Sequence, residues 1–288
     1  MSQANQQLQG RVALITGANT GIGLVTAREL CAQGAHVFIA CRSSAAGQAA
    51  LESIRRAVAG SQVELLALDL GDFESVRECA RTFLARKLPL HLLINNAGLA
   101  GARGLTLSGF ELAFGTNHMG HFLLTQLLLE RIQRSAPARI VTVASRAHCR
   151  VNSSGPNPGF DWQALRQPSR TRTAFAEYGV SKLANVLFSA ELSRRLQGSG
   201  VNTYSLHPGV VASDVWRAVP GPLRWLMKRG MITTEEGALT TLYCATSPDC
   251  ANETGLYYDK CQARTPSSLG LDAMLAADLW RRSEEWVK

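Results

Sequence analysis

Near the amino terminus, a glycine-rich turn joins a short apolar run to a helical pattern. The run Arg11–Thr16 is apolar and β-branched, which is typical of a strand buried on both faces. The turn Gly17–Gly23 begins and ends with glycine, and the helical pattern Leu24–Gln33 stops at Gly34. Glycines let the backbone approach a pyrophosphate, and free N–H groups at a helix N-terminus bind anions. The segment therefore predicts a phosphate-binding turn on a parallel sheet, with a glycine turn that holds no ligand as the alternative.

A second strand is predicted at His36–Ala40, and Arg42 follows it closely. This position lies roughly 20 residues after the glycine turn, where a site for NAD carries Asp or Glu for the ribose 2′-hydroxyl. Arginine suits a 2′-phosphate instead, because its guanidinium group binds phosphate oxygens. Arg42 therefore favours NADP(H), and a solvated arginine at a strand end is the alternative interpretation.

The alternation of strands and helices continues along the chain. Further strands are predicted at Gln62–Leu68, Leu90–Ile94, Ala138–Ala144, Val201–His207 and, as a possible seventh, Thr254–Tyr258, with helices near Phe73–Arg86 and within Ser108–Arg134. This order predicts a single-domain α/β fold, a Rossmann-type doubly wound parallel sheet of about seven strands with helices on both faces. No linker divides residues 1–288, so we expect one domain with a cofactor-binding half at about 10–145 and a catalytic and substrate-binding half at about 146–288.

The segment Tyr178-Gly-Val-Ser-Lys182 places a phenol and an ammonium one helical turn apart. A nearby cation favours the phenolate form and lowers the pKa of a tyrosine. Tyr178 is therefore a candidate proton donor to a carbonyl oxygen, or acceptor from an alcohol. An ordinary amphipathic helix is the alternative for this short pattern taken alone.

The chain carries a net charge of +8 and has a pI of about 9.4. Its lysines and arginines are scattered and no nucleic-acid motif is present, so we predict no nucleic-acid partner. The charge is better explained by an anionic cofactor or by surface attraction.

Cysteine and histidine usage argues against disulfides and metal. The seven cysteines are an odd number and contain no C-x-x-C pair, which favours free thiols in a reducing compartment. His118 and His121 could share a helix face, but no third ligand stands at a suggestive spacing, so no metal site is predicted. The residues before the first strand are polar, and we expect a cytoplasmic protein without a signal peptide or transmembrane anchor.

Several motifs occur in one order along the chain: Thr16-Gly17-Ala-Asn-Thr-Gly21-Ile-Gly23, Asp69-Leu70, Asn95-Asn96-Ala97-Gly98, Asn117, Ser145, Tyr178-x-x-x-Lys182 and Pro208-Gly209. With them the chain resembles the short-chain dehydrogenase/reductase family from about residue 10 to residue 260. Ala40–Arg42, Asn117–Phe122 and Ser181–Asn185 resemble its retinol dehydrogenase branch, which is NADP(H)-linked and handles lipophilic aldehydes and alcohols.

The resemblance implies an oxidoreductase that transfers a hydride between NADP(H) and the carbonyl or alcohol carbon of a lipophilic substrate, such as retinal, retinol or another apolar aldehyde. A carbonyl reductase of steroids, quinones or xenobiotic ketones is a second hypothesis. A nucleotide-binding scaffold without turnover is a third, and the three polar groups Ser145, Tyr178 and Lys182 argue against it.

The resemblance also implies a role for each matching residue. Tyr178 would be the general acid/base, Lys182 would lower its pKa and bind the nicotinamide ribose, and Ser145 would bind the substrate oxygen. Asn117 would hold a water that links Lys182 to solvent through a helix irregularity. The implied cofactor-binding residues are Gly17, Asn19, Thr20, Gly21, Ile22, Gly23, Arg42, Asp69, Leu70, Asn95, Ala97, Gly98, Tyr178, Lys182, Pro208, Gly209, Val211 and Ser213. Among these, Asp69 would contact the adenine edge, Asn95 and Gly98 would line the cofactor cleft, and Ser213 would meet the nicotinamide carboxamide.

Two irregular segments, 150–172 and 213–231, follow strand ends on the ligand side and are candidate walls or lids of a substrate site. The first makes the interval from Ser145 to Tyr178 longer than the family usually has, which weakens the inference of a retinoid substrate. The second mixes Trp, Leu and basic residues, which suits a lid or peripheral contact with a membrane. A homo-oligomer is also possible.

Overall fold

The computed structural model describes residues 7–153, 158–211 and 231–288 of the chain. Its strands are β1 (Val12–Thr16), β2 (His36–Cys41), β3 (Val63–Ala67), β4 (Leu92–Asn95), β5 (Ala138–Val143), β6 (Val201–His207), β7 (Leu256–Asp259) and β8 (Gln262–Arg264). Within the described residues they form one eight-stranded sheet in the order β3-β2-β1-β4-β5-β6-β7-β8. Only the β7–β8 pair is antiparallel among these strands. The predicted doubly wound α/β fold is therefore confirmed, with one more strand than expected.

The helices lie between these strands and after them. They are α1 (Gly21–Ala32), α2 (Ser44–Ala57), α3 (Phe73–Ala85), α4 (Leu112–Phe114), α5 (Gly120–Gln133), α6 (Phe175–Arg195), α7 (Thr234–Thr246) and α8 (Ala273–Trp286). A π-helical turn, Gly115–Met119, joins α4 to α5, and short 3₁₀ helices occupy Arg146–Arg150, Ala164–Arg166 and Leu269–Leu271. The long helix expected within Ser108–Arg134 is thus interrupted by the π turn.

Both faces of the sheet are covered, which explains why its strands read as continuous apolar runs. On β1, Leu14 packs with residues of α3, α5 and α6, whereas the next residue, Ile15, packs with residues of α1, α2 and α7. Successive side chains of a strand point to opposite faces, so every residue of β1 is buried. The carboxyl ends of β1, β4, β5 and β6 therefore meet at one edge of a rigid sheet.

Three helices and one strand had no prediction from the sequence, namely α2, α7, α8 and β8. Helix α8 packs on α6, where the Trp280 and Phe188 rings stack with their centroids 5.8 Å apart. Strand β8 has three exposed residues and therefore no apolar pattern to reveal it.

Part of the predicted features lies outside the described residues. These include Ser213 and nearly all of the segment 213–231, whose predicted lid and membrane contact stay predictions. Among the described residues, no helix is both long and apolar enough to cross a membrane, and no three His, Cys, Asp or Glu side chains cluster as metal ligands would.

Candidate active site

A large cleft lies over the carboxyl ends of the central strands. Its volume is about 1510 Å³ as formed by the described residues. Pockets for one drug-sized ligand span roughly 300 to 1,000 Å³, so this cleft has room for a dinucleotide and a second, smaller molecule. The predicted site residues that line it are Gly17, Asn19, Thr20, Gly21, Ile22, Gly23, Arg42, Asp69, Leu70, Ala97, Gly98, Ser145, Tyr178, Lys182, Pro208, Gly209 and Val211.

The glycine turn forms one wall of the cleft. Gly17 and Gly21 have φ values of 66° and 56°, a region that favours glycine. A Cβ atom on Gly23 would lie 2.6 Å from the Gly17 carbonyl oxygen, so only glycine lets the helix start this close to the turn. The N-cap residue of α1 makes no side-chain cap bond, and the N-terminus of this helix lines the cleft, where backbone N–H groups favour an anion. This wall fits a pyrophosphate.

Two residues beside this turn, Thr16 and Asn96, had no predicted role of their own. The Thr16 Oγ1 atom accepts hydrogen bonds from the backbone N–H groups of Asn96, at 3.0 Å, and Ala97, at 2.9 Å. The Asn96 Nδ2 atom donates to the Thr16 carbonyl oxygen at 2.8 Å. These bonds join the end of β1 to the loop after β4, so the turn and the Asn96–Gly98 wall move as one unit.

The expected place of Asn95 in the cleft lining is wrong. Asn95 is the last residue of β4, and its fully buried side chain donates from Nδ2 to Thr125 Oγ1 at 3.1 Å. The neighbouring Asn96 lines the cleft instead. Asn95 therefore joins the carboxyl end of β4 to α5.

Arg42 and Asp69 follow strands β2 and β3, and both line the same cleft as the glycine turn. Arg42 is exposed, lines the cleft, and forms no hydrogen bond or ion pair with any described residue. The Asp69 Oδ1 atom accepts from the Gly71 N–H at 2.9 Å, which fixes the carboxylate at the cleft wall. A guanidinium group at this edge suits a phosphate ligand.

Ser145 and Tyr178 both line the cleft. Ser145 directly precedes the 3₁₀ helix after β5, and its side chain lies close enough to the Tyr178 phenol to lower the pKa of that tyrosine. The buried His148 ring fixes this turn, because its Nδ1 atom donates to the Ser145 carbonyl oxygen at 2.6 Å and its Nε2 atom accepts from the Ser267 N–H at 3.1 Å. No motif or spacing in the sequence pointed to His148.

Lys182 lies one turn along α6 and is 3% exposed. Its Nζ atom donates to the Val143 carbonyl oxygen at 2.7 Å, an oxygen that Asn185 Nδ2 also reaches at 3.2 Å. The ammonium group stands 5.6 Å from the centroid of the Tyr178 ring. Burial lowers the pKa of Lys182 to about 7, because the charged form loses its hydration.

The pKa of Tyr178 shifts opposite to the direction expected from the sequence. Burial raises the pKa of Tyr178, and the nearby Ser145 side chain opposes that rise only in part. Lys182 is tied to the Val143 carbonyl oxygen, and its own lowered pKa reduces its positive charge near neutral pH. The i, i+4 spacing therefore brings the two groups close without making the phenol more acidic in this structure.

Asn117 lies behind the cleft wall, in the π turn. Its Oδ1 atom accepts from the Leu99 N–H at 2.9 Å, and its Nδ2 atom donates to the Leu99 carbonyl oxygen and to Ser181 Oγ, both at 3.0 Å. A Cβ atom on Gly98 would lie 3.4 Å from Asn117 Oδ1 and 3.5 Å from Lys182 Nζ. The helix irregularity expected at Asn117 is therefore present, and the Asn117 amide and the Lys182 ammonium group both border Gly98.

The sequence also matches the family model of the short chain dehydrogenases over residues 11–156. The chain therefore belongs to the short-chain dehydrogenase/reductase family of oxidoreductases.

Within this family the chain is retinol dehydrogenase-like. Human retinol dehydrogenase 12 is 46% identical over 286 residues, which cover 98% of this chain and 88% of that protein. Among solved structures, an uncharacterized protein from Mycobacterium paratuberculosis has 34% identity and a TM-score of 0.74, with 97% of this chain and 94% of that chain covered. An NAD(P)-dependent gluconate 5-dehydrogenase from Beutenbergia cavernae with bound NADP has the same fold, with 24% identity, a TM-score of 0.69 and coverage of 89% and 97%.

Proposed function

We propose that this protein is an NADP(H)-dependent oxidoreductase that transfers a hydride between the nicotinamide and the carbonyl or alcohol carbon of a lipophilic substrate. One observation carries the proposal. The neighbouring hydroxyls of Ser145 and Tyr178 line the same cleft as Lys182 and the glycine turn. A proton donor, a hydroxyl for the substrate oxygen and a dinucleotide wall thus share one cavity.

The chemistry of carbonyl reduction follows from these positions. The bound nicotinamide supplies the hydride. Tyr178 donates its proton to the carbonyl oxygen, and its raised pKa keeps the phenol protonated and ready for that step at neutral pH. Ser145 donates a hydrogen bond to the same oxygen as negative charge develops on it. Lys182 then favours the phenolate left behind. Asn117 and Lys182 both border Gly98, and Asn117 is proposed to hold the water through which a proton returns to Lys182.

Arg42 is proposed to select NADP(H) by binding the 2′-phosphate. A hydrogen bond to a charged group contributes roughly 1.5 to 3 kcal/mol, or about ten- to over a hundredfold in affinity. We therefore expect kcat/KM with NADPH to exceed that with NADH by such a factor, and Arg42→Asp to reverse the order.

Arg56→Asp is the matched control for this change. Arg56 is an exposed residue of α2 outside the cleft lining, and its replacement alters the net charge by the same amount. It should leave the cofactor preference intact. Equal use of NADPH and NADH by the unmodified protein, or an equal effect of Arg56→Asp, would contradict the role of Arg42.

A lipophilic substrate is supported by the apolar side chains at the mouth of the cleft. Leu105, Leu107, Leu112, Val151 and Phe175 line it, and Leu107 is 83% exposed. The similarity to human retinol dehydrogenase 12 favours the same class of substrate.

The test is NADPH consumption with straight-chain aldehydes of increasing length, retinal, and a set of steroids, quinones and ketones. Each buried CH₂ contributes about 0.8 kcal/mol, so kcat/KM should rise up to about fourfold per CH₂ along the aldehyde series. Higher rates with steroids, quinones or ketones would favour the carbonyl reductase hypothesis. NADPH binding without consumption would favour the scaffold.

A further inference from the structure

A buried histidine, His121, connects two parts of the candidate site that lie on different segments. It is 1% exposed and sits at the start of α5. Its Nε2 atom lies 2.8 Å from Thr16 Oγ1, and its Nδ1 atom lies 2.9 Å from the Asn117 carbonyl oxygen. The ring therefore bridges the end of β1 to the π turn.

The neighbouring bonds fix where the protons are. Thr16 Oγ1 already accepts from the N–H groups of Asn96 and Ala97, so its own hydrogen must point to His121 Nε2. The Asn117 carbonyl can only accept, so His121 Nδ1 carries the ring hydrogen. Burial holds the pKa of His121 at about 4, which keeps the ring in this neutral form. Every hydrogen bond of the bridge thus has one donor and one acceptor.

The bridge ends where the π turn presents Asn117. The Gly120 N–H donates to the Gly115 carbonyl oxygen five residues earlier, which shifts the register of the helix at this point. The Asn117 carbonyl is held by the His121 ring, while the Asn117 side chain holds Leu99 and Ser181. A displacement of the π turn would therefore move the Asn117 amide, which borders Gly98 together with Lys182 Nζ.

We infer that His121 is a positioning residue, which couples the Thr16–Ala97 wall of the cofactor cleft to Asn117 and, through it, to Lys182. Only the effect on kcat that we expect from this coupling rests on the proposed function. The coupling itself is a property of the hydrogen-bond network and can be measured without turnover.

Three substitutions separate the two ends of the bridge. His121→Asn retains a donor near the Nδ1 position, His121→Gln retains an acceptor near the Nε2 position, and His121→Phe retains only the ring. A buried donor or acceptor that loses its hydrogen-bond partner costs free energy, and that cost corresponds to a rate about ten- to a hundredfold lower. We expect His121→Phe to lower kcat by such a factor and to shift the pH profile of kcat, with partial rescue in His121→Asn.

His118→Phe is the control, because it removes the other histidine of the motif. His118 lies among the rings of Phe114, Phe122 and Phe188 and contacts Ser283 Oγ at 3.3 Å. Its replacement should change thermal stability while the pH profile stays as in the unmodified protein. A purely structural role of His121 would give that same pattern for His121→Phe and would overturn the inference.

Hydrogen–deuterium exchange supplies the readout that does not need turnover. The Leu99 N–H is protected by Asn117 Oδ1, so its exchange should speed up in His121→Phe and remain slow in His118→Phe. Unchanged exchange at Leu99 in His121→Phe would show that the coupling is absent. If the unmodified protein reduces no carbonyl, the proposed function fails, and the exchange result still decides whether His121 holds the π turn.

Discussion

Replacing Tyr178 with Phe is expected to lower kcat for carbonyl reduction about 10²- to 10⁴-fold, which is the usual contribution of a general acid. Phe keeps the ring at this position of α6, and it removes the hydroxyl that stands near the Ser145 side chain. The dissociation constant of NADPH, measured by fluorescence titration, should change little. Loss of turnover without loss of cofactor binding would identify the phenol as the proton donor.

Tyr243→Phe is the matched control for this substitution. Tyr243 belongs to α7, packs against Tyr258 and does not line the cleft. It should retain the rate of the unmodified protein. Near-normal kcat in Tyr178→Phe would assign the proton to another donor and remove the mechanism proposed for this site.

Replacing Lys182 with Met should impair both cofactor binding and turnover. The substitution keeps most of the length of the side chain but removes the ammonium group that donates to the Val143 carbonyl oxygen. Loss of a charge-assisted hydrogen bond lowers an affinity about ten- to over a hundredfold. We expect NADPH affinity and kcat each to fall by a factor in that range. Lys182→Arg should restore part of the affinity, because it retains the charge in a different shape.

The pH dependence gives Lys182 a second test. In the proposed reduction, the Tyr178 phenol and the Lys182 ammonium group both act in their protonated forms, and burial lowers the pKa of Lys182 to about 7. The value of kcat/KM, which reports the free enzyme, should therefore fall as the pH rises through about 7. In Lys182→Met this decline should be missing. An unchanged decline of kcat/KM in Lys182→Met would assign this pH dependence to a group other than Lys182.

The sequence predicted the parts of the fold that depend on local pattern. The strand β6 was predicted with its observed bounds, and the glycine turn lies where the strand–turn–helix pattern put it. A sheet buried on both faces, however, has no alternation of polar and apolar residues. The pattern could therefore not tell whether Asn95 or Asn96 faces the cleft, and the structure turns Asn95 into the core.

The remaining features of the site depend on contacts between distant segments. Thr16 and His121 are 105 positions apart, so no local spacing reveals their hydrogen bond. The spacing of Tyr178 and Lys182 predicted their proximity, but the direction of the Tyr178 pKa depends on burial and on the carbonyl oxygen that holds Lys182. Tertiary packing determines both this hydrogen bond and the direction of the Tyr178 pKa shift. The linear pattern of residues does not reveal that packing.

The most direct test of the proposed function is the transfer of deuterium from NADPH labelled at C4 of the nicotinamide to an apolar aldehyde. Mass spectrometry of the alcohol product should find deuterium on the former carbonyl carbon with the unmodified protein and almost none with Tyr178→Phe. Labelled NADPH that binds tightly but yields no labelled alcohol with any carbonyl compound would contradict the account.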